Sequence, residues 1–431
     1  MKRKIEKGRT LLVDGPACVN LLAGKVEVFG APLKTGVKTV IREGKRVAFE
    51  VKQNAHFDLT LGQNASVDEF EGSTIPDSWE KTCKTTLDLA EKPVIVVVMG
   101  EVDSGKTSFC TILANKALKE KRRVAIIDAD LGQSDIGPPS TIGFCRLTLP
   151  ISDLFLLKAE NAFFIGTTTP SGALNKVVDK LAEMKDESLK KAVDFLVINT
   201  DGWVLGEDAV QYKLQLVKRI VPSVVVGIQH QNELTPLLAA LKGTKILSIE
   251  SPPAIKKRDR EKRKILRELG YKKYLKGAKM QSFPLKWVKV EGVPFGTGIA
   301  PSERRLEKIR AKLAVNPLYC EEIPTLIVIV TGKKQWIEEE QISNLAEELG
   351  KKVKLIQEGD EQGLLVGLHT EKEKFLGIGV LNKIDYRRHA IQVYTPVTAN
   401  VASVHVGQVK LDKQGKEIGL NPIFKDYYVI A

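Results

Sequence analysis

Residues 94–107 read VIVVVMGEVDSGKT, an apolar run followed by a loop that starts and ends at a glycine and continues into Lys-Thr. The apolar run predicts a buried strand, and the amphipathic residues after it predict a helix. A glycine-framed loop in this context is a P-loop, whose main-chain N–H groups surround phosphate oxygens. Its Lys binds the phosphates, and its Thr hydroxyl binds Mg²⁺. The sequence therefore predicts a nucleoside triphosphate site built from Gly100, Glu101, Val102, Asp103, Ser104, Gly105, Lys106, Thr107 and Ser108.

The composition is that of a soluble globular chain. With 431 residues and 43% hydrophobic content, it is long enough for two or three domains. No apolar run approaches the ~20 residues that span a bilayer, so we expect no membrane partner. The five cysteines and five histidines are scattered. The scattered cysteines indicate neither a disulfide framework nor a zinc site and favour a reducing, cytoplasmic location. The dispersed histidines favour core or surface roles over metal binding or catalysis by a histidine base.

Positive charge is concentrated in one segment. The net charge is +13, and residues 256–279 hold twelve Lys and Arg against three acidic residues. Such a segment attracts phosphates and favours a nucleic-acid partner, although a solvated helix of a heat-adapted protein fits the composition equally well. Its first part is helical in pattern. Arg258 and Arg263, at the start of a mobile lid, could both contact a transferring phosphoryl group.

Three domains are predicted along the chain. Residues 1–85 alternate in short β-type runs, which predicts a small sandwich or barrel. Residues 86–280 carry continuous apolar strands between helical stretches, which predicts an α/β P-loop NTPase domain with a parallel sheet and a lid. Residues 281–431 predict a smaller mixed, mostly β domain. The central apolar runs are Val94–Met99, Val124–Ile127, Phe163–Ile165, Phe195–Ile198, Val224–Ile228 and Ile246–Ile249.

Four polar motifs follow the strands of the predicted parallel sheet. They are the P-loop, Asp128 with Asp130, Thr167–Thr169 and Asn199–Trp203. Ligands in this fold class bind at the carboxyl ends of the strands, so we expect the four motifs to meet at one edge. In the Asp-x-Asp pair, one carboxylate would hold Mg²⁺ and the other would accept a proton from an attacking hydroxyl. A structural Asp turn is the alternative. The residues alone leave open which of Asp128 and Asp130 takes which role.

Two other P-loop classes can be compared with this sequence. Switch-type ATPases and GTPases with a similar Asp-x-Asp strand usually carry a signature Lys after the first glycine, where this chain has Glu101. Residues Asn382–Asp385 match the guanine-reading Asn-Lys-x-Asp motif of GTPases, but they lie far beyond the P-loop in the β-rich third region. A hairpin turn is the preferred interpretation of that stretch.

Several motifs together resemble the polynucleotide 5′-hydroxyl kinase family, which includes the RNA kinase subunit of the eukaryotic pre-mRNA cleavage and tRNA-splicing machinery. The resemblance covers essentially the whole chain, and the absence of eukaryotic extensions suggests an archaeal member. It implies an ATP- and Mg²⁺-dependent kinase acting on the 5′-OH ends of RNA, with DNA as an open alternative, and protein partners in RNA processing. The motifs are the P-loop, Asp128–Gln133, Thr167–Pro170, Asn199–Val204 and Arg258–Gly277.

The resemblance also implies catalytic roles. Lys106 would be the phosphate lysine and Thr107 a ligand of Mg²⁺. Asp130 would orient or deprotonate the 5′-hydroxyl, which assigns Mg²⁺ to Asp128, and Arg258 and Arg263 would be lid arginines. Some family members bind ATP but serve as scaffolds with little kinase activity, which is the alternative function.

Substrate contacts are implied by the same resemblance. Gln133, Thr167, Thr168 and Thr169 would grip the substrate, the threonines as a clasp on its backbone. Trp203 would stack on the terminal base, an interaction that tolerates any sequence. From the sequence alone, a core position is the preferred interpretation of Trp203.

Overall fold

The computed structural model describes residues 1–292, 298–333, 335–386 and 388–420. The chain forms two compact units, Met1–Gly270 and Tyr271–Ala431. The division at residues 85 and 280 stays a prediction. In the described residues, no helix is both long and apolar enough to cross a bilayer.

The first unit begins with an antiparallel sheet of seven strands. In its longest strand, buried residues alternate on either side of an exposed stretch at 52–54, first at Phe49 and Val51 and then at Ala55, Phe57 and Leu59. This alternation places one face of the sheet on an apolar core and the other toward solvent. The first 85 residues are therefore β-rich, as predicted. The strands are β1 (Lys2–Ile5), β2 (Arg9–Asp14), β3 (Ala17–Val28), β4 (Ala31–Pro32), β5 (Lys38–Ile41), β6 (Arg46–Leu61) and β7 (Val67–Glu71).

A second seven-stranded sheet follows in the same unit, in the order β11-β10-β9-β12-β8-β13-β14. Its strands are β8 (Val94–Gly100), β9 (Val124–Ala129), β10 (Thr141–Arg146), β11 (Asn161–Phe164), β12 (Phe195–Thr200), β13 (Val224–Gln229) and β14 (Ile246–Glu250). The helices are α1 (Asp77–Leu87), α2 (Lys106–Lys119), α3 (Leu174–Lys190), α4 (Glu207–Ile220), α5 (Thr235–Ala240) and α6 (Arg260–Tyr274), the last of which ends in the second unit.

Both faces of this sheet are buried. Along β8, Ile95 and Val97 pack into one hydrophobic cluster, and Val96 and Val98 pack into the other. Burial of each such side chain stabilises the fold by about 1.5–3 kcal/mol relative to exposure. This explains why the strand is apolar at every position.

The sheet is not entirely parallel, which corrects the sequence-based prediction for the run Phe163–Ile165. Strand β10, which the prediction missed, pairs antiparallel with both β9 and β11. Only residues 130–140 connect β9 to β10, and a parallel crossover needs a dozen residues or more. Two antiparallel steps restore the direction of β9. The carboxyl end of β11 therefore lies at the same edge as the ends of β9, β12 and β8.

The second unit is mixed and mostly β in the residues that the structure describes. A sheet in the order β15-β22-β21-β20-β23-β16, with β24 paired to β23, accompanies the smaller sheet β17-β18-β19. The elements are β15 (Lys279–Pro284), β16 (Lys289–Glu291), α7 (Glu303–Leu313), β17 (Tyr319–Ile323), β18 (Leu326–Thr331), α8 (Glu339–Leu349), β19 (Lys352–Gln357), β20 (Leu364–His369), β21 (Phe375–Asp385), β22 (Ala390–Thr395), β23 (Ser403–Leu411) and β24 (Glu417–Leu420).

Two local predictions need correction. Residues Asn382–Asp385 form the end of strand β21 and not a hairpin turn, because the Ile384 side chain is buried and pairs across to β22. Helix α6 begins at Arg260, four residues later than the pattern suggested. Asp259 accepts a hydrogen bond from the Lys262 amide at 2.8 Å, which is the geometry of a helix N-cap. Arg258 therefore lies in the extended segment before the helix.

Candidate active site

The P-loop connects β8 to α2 and leaves no room for side chains at its two glycines. A Cβ atom at Gly100 would lie 2.5 Å from Ser104 Oγ and 2.6 Å from the Ile228 carbonyl oxygen. Gly105 has a φ of 101°, and a Cβ atom there would lie 3.1 Å from the Trp79 ring. Packing therefore excludes a side chain at Gly100, whereas at Gly105 the positive φ, together with the nearby ring, favours glycine.

Lys106 lies inside the loop. Its ammonium donates hydrogen bonds to the carbonyl oxygens of Gly100 at 3.0 Å and Glu101 at 2.7 Å. Burial lowers the pKa of Lys106, and the charge of Asp130 opposes that shift. Gly105, the residue before α2, provides no side-chain cap for the first-turn N–H groups. An ammonium beside uncapped N–H donors at a helix start suits phosphate oxygens.

Asn199 connects the two oxygens expected to bind a metal. Its side-chain amide donates to Asp128 Oδ1 at 3.0 Å and lies 3.4 Å from Thr107 Oγ1. The other carboxylate oxygen of Asp128 accepts the main-chain N–H groups of Asp135 at 2.7 Å and Ile136 at 3.2 Å. A hydroxyl and a carboxylate held this way are the hard oxygen ligands that Mg²⁺ prefers, so the residues fit that ion. Burial, followed by the Asp135 charge, raises the pKa of Asp128 to about 7.

Asp130 follows β9, and its charge interacts with that of Lys106 in the P-loop. Its Oδ1 atom accepts the main-chain N–H groups of Gly132 at 3.2 Å and Gln133 at 3.0 Å. Burial raises the pKa of Asp130, while Lys106 lowers it and Asp201 raises it. The carboxylate is therefore held in one orientation beside the ammonium of Lys106, in an environment that increases its affinity for a proton.

The N-terminal sheet holds the loop after Asp130 in place. Arg42 donates to Asp135 at 3.0 Å and to Asp153 at 3.0 Å, and Lys45 donates to Asp135 at 2.9 Å. Burial raises the pKa of Asp135, but Lys45 and Arg42 outweigh that effect and lower it to about 2. The amide of Asp135 orients the Asp128 carboxylate. Arg42 and Lys45 therefore support the candidate metal ligand indirectly, through Asp135.

A cavity of about 460 Å³ lies over the P-loop. Its walls come from the N-terminal strands, which include Asp14 and Arg46, from the P-loop, and from the segment Pro252–Lys262. Its volume is within the range of about 300–1,000 Å³ for small-molecule sites. The predicted site residues that line it are Val102, Asp103, Gly105, Lys106, Thr107, Ser108, Asp130, Gln133 and Arg258.

The segment before α6 is attached to the P-loop. Asp103 accepts the main-chain N–H of Arg258 at 2.8 Å, and its other oxygen lies 3.6 Å from the Arg258 guanidinium. Arg263 donates to the Arg258 carbonyl oxygen at 3.2 and 3.0 Å, and Gln133 donates to the Arg263 carbonyl oxygen at 3.1 Å. Arg258 therefore lines the cavity, whereas in this structure Arg263 supports the main chain of Arg258.

Asp14 attaches the same segment to the N-terminal sheet. Its carboxylate accepts hydrogen bonds from Arg46 at 2.7 and 2.9 Å, from Lys256 at 2.9 Å and from Ser66 at 2.7 Å. Burial alone would raise the pKa of Asp14, but these donors outweigh it and lower the pKa. Lys256 of the basic segment thus pairs with the buried carboxylate of Asp14, although its own side chain is 55% exposed.

Trp203 is half-buried and stacks on Tyr212, with ring centres 5.9 Å apart and planes 24° apart. Its amide donates to Asp201, whose carboxylate also accepts from Tyr212 and from the fully buried Lys213, both at 2.9 Å. One face of the indole therefore packs on the protein core, and the polar cluster beneath fixes its position. The role of Trp203 in base stacking stays a prediction.

The three threonines lie near the Asp-x-Asp loop. A Cβ atom at Gly132 would meet the Thr168 carbonyl oxygen at 2.9 Å, and the Thr169 amide is 3.4 Å from Thr167 Oγ1. The edge of the sheet thus brings together the four polar motifs, as predicted. In the part of the chain that the structure describes, the three threonines, Trp203, Asp128 and Arg263 do not line the cavity over the P-loop.

Comparison with known proteins identifies the family. The family model described as mRNA cleavage and polyadenylation factor CLP1 P-loop matches residues 100–277. The polyribonucleotide 5′-hydroxyl-kinase of Pyrococcus abyssi is 30% identical over 336 residues, which cover 76% of this chain and 91% of that protein. This chain belongs to the polyribonucleotide 5′-hydroxyl-kinase family.

Other comparisons agree with this family. The polyribonucleotide 5′-hydroxyl-kinase of Pyrococcus furiosus is 27% identical, covering 80% of this chain and 95% of that protein. The solved structure of wild-type Clp1p in complex with Pcf11p has the same fold, with a TM-score of 0.66, 13% identity and coverage of 95% of this chain and 97% of that one. The resemblance stated from the motifs is confirmed. A protein partner for this member of the polyribonucleotide 5′-hydroxyl-kinase family stays a prediction.

Proposed function

We propose that this protein transfers the γ-phosphoryl group of ATP to the 5′-hydroxyl of RNA. The observation that carries the proposal is that Asp130, Lys106 and Arg258 line one cavity over the P-loop. These are a proton acceptor, a phosphate-binding cation and a candidate for stabilising the transferring group. Relatives in Pyrococcus and Methanocaldococcus that share most of the chain are named polyribonucleotide 5′-hydroxyl-kinases.

ATP would bind with its phosphates in the P-loop. Lys106 and the first-turn N–H groups of α2 would bind the phosphate oxygens. Thr107 and Asp128 would hold Mg²⁺, with Asn199 keeping both oxygens in place. Bound Mg²⁺ would neutralise charge that develops on the phosphate oxygens. The link from Asn199 to both Thr107 and Asp128 supports Asp128 as the metal ligand and leaves Asp130 for proton transfer.

Asp130 would act on the acceptor. The 5′-oxygen forms a bond to the γ-phosphorus, its proton passes to Asp130, and the bond from the γ-phosphorus to the β-phosphate oxygen breaks to release ADP. Hydrogen bonds to Oδ1 hold the carboxylate in one orientation, so little reorganisation is needed during transfer. The raised pKa of Asp130 makes it a better proton acceptor.

Arg258 would stabilise the charge of the transferring phosphoryl group. Its attachment to Asp103 keeps it at the cavity, and Arg263 keeps the main chain of Arg258 in place. An arginine fork suits the equatorial oxygens of a phosphoryl group. Gln133, the three threonines and Trp203 would hold the RNA end, with the indole fixed from below by Tyr212.

The direct test is a transfer assay with γ-labelled ATP, Mg²⁺ and a 5′-OH RNA oligomer, with the matched 5′-phosphorylated oligomer as control. Label on the 5′ end of the first RNA alone is the expected result, and a matched DNA oligomer measures sugar preference. If ATP binds but no label is transferred, the scaffold function replaces the kinase. A scaffold would retain nucleotide without turnover, and its ATP affinity would not respond to Arg258→Ala.

A further inference from the structure

Two histidines of the second unit share one face of its larger sheet. His369 ends β20 opposite Ser403, and His405 lies two residues further along β23. Glu291 ends β16 opposite His405 in the adjacent parallel pair. Because opposite residues, and residues two positions apart, point to the same face, three neighbouring strands bring these side chains together. The sequence offered no such pairing, since 36 positions separate the two histidines.

Glu373 reaches the same point from the hairpin between β20 and β21. Its Oε2 atom lies 3.2 Å from His405 Nε2, and its Oε1 atom accepts a hydrogen bond from Ser403 at 3.3 Å. The residue has a φ of 55°, a left-handed conformation that is uncommon for Glu. The hairpin holds this conformation through hydrogen bonds between Thr370 and the segment 373–374.

The spacing of the ligand atoms suits a tetrahedral metal ion. One ligand atom each from His369, Glu373 and His405 lie within 4.8 Å of one another. Ligands about 2.1 Å from a tetrahedral ion are about 3.4 Å from each other. The distances from His405 Nε2 are 3.2 Å to Glu373 and 3.4 Å to Glu291, which match this spacing, and the ligand atom of His369 lies within 4.8 Å of those of Glu373 and His405.

A protonated His405 paired with the two carboxylates is the competing explanation. One N–H group cannot donate well to all of its neighbours, because oxygens of Glu291, Glu373 and Ser403 all lie within 3.4 Å of the same nitrogen. The rings of His369 and His405 are 4.0 Å apart, so protonation of both would bring like charges together in a region where His369 is 4% exposed. A divalent ion would instead bind both rings in their neutral form.

We propose that His369, His405 and Glu373 bind a divalent transition metal of the Zn²⁺ type, with Glu291 as a fourth ligand. Imidazole with carboxylate is a ligand set that suits Zn²⁺, whereas the proposed Mg²⁺ site at the P-loop contains oxygen alone. The ion would join strands β16, β20 and β23 to the hairpin after β20. This site is independent of the kinase proposal and does not use its residues.

The test is Zn²⁺ binding to the EDTA-treated full-length protein in excess Mg²⁺, measured by calorimetry and by metal content after dialysis. The ligand variants are Glu373→Gln, which is isosteric and exposed, and His405→Gln. The matched control is Glu371→Gln, an exposed acid on the same hairpin. The wild type and the control are expected to bind about one Zn²⁺ per chain, and each ligand variant to bind at least about tenfold more weakly.

Two outcomes would overturn the site. One is the absence of Zn²⁺ binding by the wild type, which would leave a histidine–carboxylate ion pair as the explanation. The other is equal Zn²⁺ affinity in the wild type and Glu373→Gln, which would place the ion at other residues. The Glu373 side chain is more than half exposed, so Glu373→Gln is expected to fold. This variant keeps the test decisive if His405→Gln fails to fold.

Discussion

The Asp103 carboxylate accepts the main-chain N–H of Arg258 at 2.8 Å, although 155 positions separate the two residues. Asp103 is in the P-loop with a φ of 59°, and Arg258 is in the basic segment before α6. One carboxylate thus joins the phosphate-binding loop to the candidate lid arginine. The sequence predicts Asp103 only as a member of the nucleotide-binding loop, whereas its contact with Arg258 also makes it a positioning residue.

Asp103→Ala is expected to reduce kcat for 5′-phosphoryl transfer by about 10- to 100-fold, because misplacement of a positioned group by about 1 Å has an effect of that size. Asp103→Asn keeps an acceptor oxygen and tolerates positive φ, so its loss should be smaller. Steady-state kinetics measure both. Asp259→Asn, which preserves the α6 cap, is the control and should retain wild-type activity. Equal kcat in Asp103→Ala and wild type would remove this role.

Asp130→Asn is expected to reduce kcat by about 10²- to 10⁴-fold, the usual contribution of a general base. Asparagine can still accept the hydrogen bonds of Gly132 and Gln133 through Oδ1, so the loop should keep its conformation. ATP affinity should stay within about tenfold of the wild type. Single-turnover transfer and nucleotide titration test both expectations, with the exposed Asp179→Asn as control. Unchanged transfer would reassign proton acceptance to another group.

Asn199→Ala is expected to raise the Mg²⁺ concentration for half-maximal rate by about 10- to 100-fold, as losses of such supporting groups do. The variant frees Thr107 Oγ1 and Asp128 Oδ1 from their shared donor. Initial rates across a Mg²⁺ series at saturating ATP provide the measurement. Asn232→Ala, at an exposed amide in the same unit, should leave the series unchanged. An unaltered Mg²⁺ requirement in Asn199→Ala would mean that Asn199 contributes to packing but not to metal binding.

Trp203→Leu is expected to raise KM for a 5′-OH oligomer by about 5- to 150-fold, since base–aromatic stacking is worth about 1–3 kcal/mol. KM for ATP should not change. Tyr212→Phe is a useful comparison because it keeps the ring under Trp203 and removes one hydrogen bond to Asp201. A lowered thermal stability of Trp203→Leu with unaltered KM for the oligomer would identify Trp203 as a core residue only.

Asp14→Asn is expected to lower the free energy of unfolding by about 1–3 kcal/mol at pH 7, because it weakens charged hydrogen bonds to Arg46 and Lys256. The pKa of Asp14 is lower in the folded protein than the unfolded value of about 3.9. Its stabilisation is therefore complete above that value and is lost as pH falls below it. Urea unfolding of both proteins should show a difference that shrinks below about pH 4. Asp68→Asn, at an exposed partner of Arg46, is the control. A difference independent of pH would exclude the charge of Asp14 as its cause.

The sequence was sufficient for features carried by local patterns. Continuous apolar runs located the strands that are buried on both faces, and glycine spacing located the P-loop. Strand β10 was missed because its short run, Thr141–Arg146, follows a stretch rich in Gly and Pro and contains a glycine itself. The connection from β9 is too short for a helix, and that length was the signal available in the sequence.

The sequence was insufficient for contacts between distant segments. Arg42 and Lys45 meet Asp135 across 93 and 90 positions, and no local pattern tells which acid a given cation will contact. Asn199 was visible as part of a motif, but its bonds to Thr107 and Asp128 depend on the order of β9, β12 and β8 in the sheet. The supporting residues of the site therefore required the fold, whereas the P-loop and the Asp-x-Asp pair did not.

The bond between Lys256 and Asp14 spans 242 positions, and that between Arg46 and the Ala254 carbonyl oxygen spans 208. Contacts so distant in sequence require closure of a long loop, which slows folding. During synthesis, the N-terminal sheet and the P-loop leave the ribosome well before residues 252–262 are made. A nascent chain therefore has a phosphate loop without its third wall. The nucleotide cavity becomes complete only after translation has passed the basic segment, so an unfinished chain carries an open and incomplete site.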